Sequence, residues 1–156
     1  NIGATNAFRV LGPVTGASVL AIDAFKGYLC VKLLGTGEAT SVLAGAAAIL
    51  GHTYTVFLKF KGGKGVATTA GVFLALAPVP AFISLGIFAL VFGISGYVSL
   101  GSMSAALVFP AAIALCRHNH LVFLLGLAAA SVILLKHRSN IRRLLDGTEK
   151  RLAWRK

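Results

Sequence analysis

The sequence predicts an all-α, polytopic integral membrane bundle, and three observations carry that prediction. Of 156 residues, 57% are hydrophobic and only 12% charged, with mean hydropathy +0.87; ordinary soluble domains are about a quarter charged. Apolar runs of about 20 residues, the length that crosses a bilayer as a helix, recur along nearly the whole chain. The basic residues collect in the loops that one face of such a bundle would present.

The elements follow in order. Residues 1–12 (NIGATNAFRVLG) are polar and glycine-containing, a loop or helix entrance. A first span is expected over about 13–34, interrupted by Asp23 and Lys26, and a turn Gly35-Thr36-Gly37-Glu38 ends it. A second span is expected over about 40–59, followed by a glycine–lysine loop. Residues 66–94 hold no charge and are too long for one crossing at a rise of about 1.5 Å per residue. Pro78 and Pro80 divide them into two short helices. A Gly/Ser-rich turn is expected over about 95–102, a fifth span over 103–116 and a sixth over 121–136, before a basic tail over 137–156. The whole chain reads as one membrane-embedded domain, 1–156.

With Arg9 placed in the cytoplasm, the loops alternate so that Lys59, Lys61, Lys64 and the eight basic residues from Lys136 onward fall on the same side. Only Lys26, Lys32 and Arg117 lie within the membrane or on the far side. This explains the net charge of +11 as basic cytoplasmic loops, and no nucleic-acid partner is expected. Cys30 and Cys116 stand in apolar surroundings without metal-ligand spacing and read as small core residues. His118 and His120 lie on the far side with no acidic or thiol partner nearby, so no metal is expected.

Three polar motifs meet on the basic face. The first, Phe60–Thr69 (FKGGKGVATT), has glycines at 62, 63 and 65 that let backbone N–H groups approach an anion. It opens a helix whose N-terminus favours negative charge. Lys61 and Lys64 add charge, and Thr68 and Thr69 add hydroxyl donors. Val66 after Gly65 rules out a Walker A loop; the alternative is a flexible basic turn. The second motif, NIGATNAFR, holds Asn1, Thr5, Asn6 and Arg9. If helical, it puts Thr5 and Arg9 on one face, with an arginine fork suited to phosphate; the alternative is a helix cap and interfacial anchor. The third, KHRSNIRRLL, places His137 and Asn140 on one helix face, a group able to move a proton beside one able to orient a hydroxyl. Its alternative is a basic tail on anionic lipid head groups, which is the reading kept for Arg142, Arg143 and the residues past Lys150. His52, an ionisable group inside a span, is a further candidate. Asp23 and Lys26, three apart, read as a buried pair that fixes helix packing.

This set has a phosphate cradle, a separate arginine and a possible base, but no obvious nucleophile. No G-x-S-x-G elbow is present, and no Asp lies five positions beyond any histidine, as in the H-x-x-x-x-D pattern of coenzyme A-dependent glycerolipid acyltransferases. An enzyme built this way handles a substrate already activated, by positioning and charge stabilisation.

The motifs together resemble the bacterial acyl-phosphate:glycerol-3-phosphate acyltransferases, the PlsY family. The matching segments are NIGATNAFR at 1–9, GHTYTVFLKFKGGKGVATT at 51–69 and KHRSNIRRLLDGTE at 136–149, with Asp23, Lys26 and Gly27 between them. The family carries a further N-terminal helix and a Gly-Ser-Gly ahead of the first asparagine, so the resemblance implies an N-terminally truncated chain with six of seven spans. It implies transfer of a fatty acyl group from acyl phosphate to the 1-hydroxyl of glycerol-3-phosphate, giving lysophosphatidic acid and phosphate at the start of phospholipid synthesis. Neither coenzyme A nor any other cofactor, nor an obligate protein partner, is implied. Gly62, Gly63, Gly65 and nearby amides would hold the acyl phosphate. Arg9, one or both of Lys61 and Lys64, His137 and Asn140 would hold glycerol-3-phosphate. The substrate phosphate can itself take the hydroxyl proton, so His52 and His137 remain alternatives as base. The location implied is the bacterial inner membrane, with the site on its cytoplasmic face. The rival reading is a transporter of phosphorylated metabolites, which needs polar groups through the depth of the membrane; here only Asp23, Lys26 and His52 lie deep.

Overall fold

The computed structural model describes residues 3–116 and 118–152. Asn1, Arg117 and the tail beyond Leu152, Arg155 included, lie outside the described residues. Eight α-helices and no strand occur among the described residues: α1 Ala4–Leu11, α2 Pro13–Leu34, α3 Glu38–Thr53, α4 Val66–Leu76, α5 Pro78–Ser95, α6 Val98–Leu115, α7 His120–Lys136 and α8 Arg138–Leu145.

Local chemistry sets the boundaries. Pro13 and Pro78 open α2 and α5, where a missing N–H costs nothing. Asn119 caps α7 by accepting from the Val122 N–H at 2.9 Å. The uncharged stretch does divide at the prolines, with Ala77 at the break. The second span, expected over about 40–59, runs over Glu38–Leu58: its α-helix ends at Thr53 and a short 3-10 turn, Val56–Leu58, completes it before Lys59 and Phe60 adopt positive φ of 51° and 62°. One expected boundary is corrected. The Gly/Ser turn shrinks to Gly96 and Tyr97, because Gly96 alone takes the left-handed conformation (φ 73°) that ends α5. Helix resumes at Val98, so Ser99 and Ser102 sit on the first turns of α6.

Helix α2 packs on α1, α3 and α4; α5 packs on α6, and α6 on α7. Val31, Ile49, Val72, Phe73, Phe109, Ile113 and Val122 join five helices in one core. Within it Phe73 meets Phe109 edge-to-face, ring centroids 4.4 Å apart. Val14, Leu33, Leu43, Val79, Ile94, Leu107 and Leu115 point outward, as they do when the solvent is lipid. By length and composition, Glu38–Leu58, Pro78–Ser95 and Val98–Leu115 are each able to cross a membrane. The pair His120–Lys136 and Arg138–Leu145, bent by 53°, makes a fourth if taken as one broken span. The 22-residue α2 carries Asp23, Lys26 and Lys32, and α4 is a shorter apolar helix.

Candidate active site

The N-terminus of α4 is where the site begins. Gly65 holds φ 80° as its N-cap, and no side chain caps the helix. The first intrahelical bond runs from the Thr69 N–H to the Gly65 carbonyl at 2.8 Å, which leaves the amides of Val66 and Ala67 without intrahelical partners. Both residues line a cavity of about 180 Å³. The preceding loop is pressed onto the end of α3. The Gly63 N–H donates to the His52 carbonyl at 3.2 Å. A Cβ on Gly62 would stand 2.1 Å from that carbonyl, and one on Gly63 would stand 2.2 Å from His52 Nε2. These glycines serve close approach to α3, and neither lines the cavity.

Helix α1 supplies Thr5, Asn6 and Arg9 to the cavity wall; α7 and α8 supply His137, Asn140 and Arg143; α2 and α3 supply Asp23 and His52. Lys64 lines it too, whereas Lys61 is exposed. Thr68 and Thr69 are buried behind the α4 terminus, and their hydroxyls have no hydrogen-bond partner among the described residues. Thr69 instead lines an apolar recess of about 70 Å³ that shares Val66, Phe88 and Ser102 with the cavity. The structure therefore gathers Thr5, Asn6, Arg9, His52, Lys64, Gly65, His137 and Asn140. It leaves Lys61, Gly62, Gly63, Thr68 and Thr69 off the cavity wall.

One carboxylate organises the rest. Glu149 Oε1 accepts from Ser99 Oγ at 2.7 Å and from Asn140 Nδ2 at 2.6 Å, while Oε2 accepts from Arg143 Nε at 2.6 Å. Asn140 Oδ1 in turn accepts from Lys64 Nζ at 2.5 Å. Burial pushes the Glu149 carboxyl up, but these three donors and the Arg143 charge outweigh it and hold the group below the usual carboxylate value. Burial lowers Lys64 to about 8; the Glu149 charge opposes the shift, and Arg143 and Arg9 add to it. Burial also lowers His137 to about 4, helped by the Lys64 ammonium. His137 Nδ1 lies 2.8 Å from the Ile133 carbonyl, which only accepts. We therefore assign the ring proton to Nδ1, and Nε2 keeps its lone pair. Arg9 Nη2 donates to the Lys150 carbonyl at 2.7 Å, joining the first helix to the returning tail.

A protein-family model described as glycerol-3-phosphate acyltransferase matches residues 1–147. The chain belongs to the glycerol-3-phosphate acyltransferase family. Among its relatives, a protein of that name from Trichlorobacter lovleyi is 46% identical over 152 residues, 96% of this chain and 78% of the relative. One from Geobacter sulfurreducens is 44% identical over 154 residues, 97% and 79% of the two chains. A crystal structure of PlsY (YgiH), an integral membrane glycerol 3-phosphate acyltransferase in its glycerol 3-phosphate form, superposes with TM-score 0.91 at 37% identity. That match covers 98% of this chain and 78% of the other. The lysophosphatidic acid form of that protein gives TM-score 0.90 over 98% and 80%. The all-helical, multi-pass membrane fold is thus the fold of an acyltransferase family.

Sequence reasoning overlooked Glu149, Ser99 and Arg143 as residues of the cavity wall. Glu149 had a signal in the GTE that follows the third motif. Ser99 had none, since it looked like part of a turn. Arg143 was read as lipid-facing tail, yet it is the partner of Glu149; Arg142 does face outward, 3.9 Å from Asp146.

Proposed function

We propose that this chain transfers a fatty acyl group from acyl phosphate to the 1-hydroxyl of glycerol-3-phosphate, releasing lysophosphatidic acid and inorganic phosphate. The observation that carries this reading is the meeting of Arg9, Lys64, His137 and Asn140 around one cavity beside the uncapped N-terminus of α4. Besides Arg143, which is paired with Glu149, the cavity has two cationic groups and a helix dipole for two phosphates, and an apolar recess next to it for the first carbons of an acyl tail.

The glycerol-3-phosphate phosphate lies on Arg9 and Lys64, with Thr5 and Asn6 beside it. The acyl phosphate's phosphate lies on the amides at Gly65–Ala67, held in place by the Gly62-Gly63 packing on α3. Lys61 stands further out on the loop, and Thr68 and Thr69 lie buried behind the helix terminus. His137 Nε2 accepts a hydrogen bond from the 1-hydroxyl, and Asn140 fixes the cation next to it. The hydroxyl oxygen attacks the acyl carbonyl carbon, the bond from that carbon to the phosphate oxygen breaks, and the departing phosphate takes the proton. With its pKa near 4, His137 orients the hydroxyl more than it retains the proton. The donor is already activated, so no coenzyme A enters.

All 156 residues act as one domain with six crossings in a bacterial inner membrane. Arg9, Lys64 and the tail meet at one end, which supports a site on the cytoplasmic face under the positive-inside rule. The test is to reconstitute the chain in membranes with labelled glycerol-3-phosphate and palmitoyl phosphate, without coenzyme A. Lysophosphatidic acid is expected, reduced about 10²- to 10³-fold in kcat/KM by Arg9→Ala, as for loss of one preorganised charge-stabilising donor. Product from acyl coenzyme A alone, or phosphate-ester transport without acylation, would overturn the reading.

A further inference from the structure

The two nitrogens of the His52 ring are held in different ways. Nδ1 lies 2.8 Å from Lys26 Nζ and 3.4 Å from Asp23 Oδ1. Nε2 sits against Gly63, has no hydrogen-bond partner among the described residues, and belongs to a side chain on the cavity wall. Lys26 Nζ also donates to Asp23 Oδ1 at 2.5 Å, and an ammonium only donates. Nδ1, facing it at 2.8 Å, is therefore the acceptor. A proton on Nδ1 would point at a cation, and its one alternative acceptor is at 3.4 Å, beyond ordinary N–H···O range. The proton of the neutral ring is left on Nε2. His137 has the opposite arrangement, with its proton on Nδ1 against Ile133.

We propose that His52 is an N–H donor to the phosphate seated at the glycine loop, not a proton acceptor, and that Lys26 and Asp23 are positioning residues that fix its tautomer. The proposal rests on the acyl-transfer reading above and divides the work between the two histidines. His52 Nε2–H faces an anion, and His137 Nε2 offers a lone pair to the hydroxyl. The carboxylate of Asp23, also on the cavity wall, would repel phosphate if bare; Lys26 at 2.5 Å neutralises it. The same contact explains why a lysine within α2 and a histidine near the end of α3 stand where they do: together they turn one N–H bond towards the glycine loop.

The test uses 15N-histidine-labelled protein in lipid membranes, with the His52 resonance among the four histidines identified by its loss in His52→Gln. Expected are a ring protonated on Nε2, a shift of that nitrogen on adding inorganic phosphate, and loss of the tautomer preference in Lys26→Met. A ring protonated on Nδ1, or an Nε2 signal indifferent to phosphate while His137 responds, overturns the proposal. In turnover, His52→Ala is expected to raise the KM for acyl phosphate about 10- to 100-fold, as for one lost charge-assisted hydrogen bond. His52→Gln, which keeps an N–H at nearly the same reach, should recover most of that loss. A glutamine variant no better than alanine, with the loss in kcat, is the signature of a base and also overturns it. The resonance experiment needs no turnover. A phosphate-responsive Nε2–H in a protein that makes no lysophosphatidic acid would overturn the acyl-transfer reading and leave the donor role standing.

Discussion

The ammonium of Lys64 donates to Asn140 at 2.5 Å in surroundings that lower its pKa to about 8. Binding and stability then depend on pH with opposite signs. With phosphate placed on Lys64 as proposed, its binding needs the charged form, which is lost as pH rises through about 8, so the KM for glycerol-3-phosphate should climb above that point. Folding runs the other way. The unfolded lysine stays protonated up to its ordinary value of 10.5, so between the two values the unfolded state binds more protons and stability from this group rises with pH. Lys64→Arg, whose guanidinium does not titrate, should abolish the alkaline rise in KM measured from about pH 7 to pH 9. His137 obeys the same rule on the acid side: its lowered pKa means stability drains away as pH falls from 6.5 towards 4. The motifs made Lys64, His137, Asn140 and Arg9 legible as residues. They did not say that Lys64 and not Lys61 would face the cavity, because that choice depends on Gly62 and Gly63 pressing the loop against His52.

Among the elements, the crossing of α2 over α4 positions the helix terminus that faces the cavity. It is closer than side chains permit. A Cβ on Gly71 would stand 1.8 Å from the Ala24 carbonyl, and one on Gly27 would stand 2.3 Å from the Thr68 carbonyl. Both obstacles are backbone, so relief requires the helices to separate. Gly71→Ala should cost about 1–3 kcal/mol, the usual penalty for overpacking, read as a lower thermal midpoint in detergent. Gly86→Ala, with nothing within 4 Å, should leave the midpoint unchanged or slightly raised. Helices were readable where the sequence punctuates them, as at Pro13 and Pro78. The start of α6 was not, because Ser99 and Ser102 have turn-like composition and become helical through packing against α5 and the tail.

At the scale of the molecule, residues far apart in sequence close on one another. Ser99 on α6, Asn140 and Arg143 on α8, and Glu149 in the tail form one hydrogen-bonded unit. The Leu152 N–H donates to the Gly96 carbonyl at 2.9 Å, and Arg151 lies over the Tyr97 ring. Removing the carboxylate leaves three donors without their acceptor. Glu149→Ala should therefore destabilise by about 1–3 kcal/mol, the cost of leaving buried donors unsatisfied, whereas Ser99→Ala should lose about 1 kcal/mol. Acid acts in the same direction. The Glu149 pKa is depressed, so its contribution is present above the unfolded value and lost as pH falls through the folded one. Thermal unfolding of wild type and Glu149→Ala across that range checks the sign: the gap between them should narrow in acid. None of this closure is periodic in sequence, which is why the fold class was legible and the network was not.

The contact between Arg9 and the Lys150 carbonyl spans 141 positions, and it fixes an order in time. A ribosome feeding this chain into a membrane releases Arg9 early and Glu149 late, so every helix can be inserted while Asn140 still lacks the acceptor that aims it at Lys64. The cavity wall is completed after the bundle that carries it, when the final residues of the network emerge.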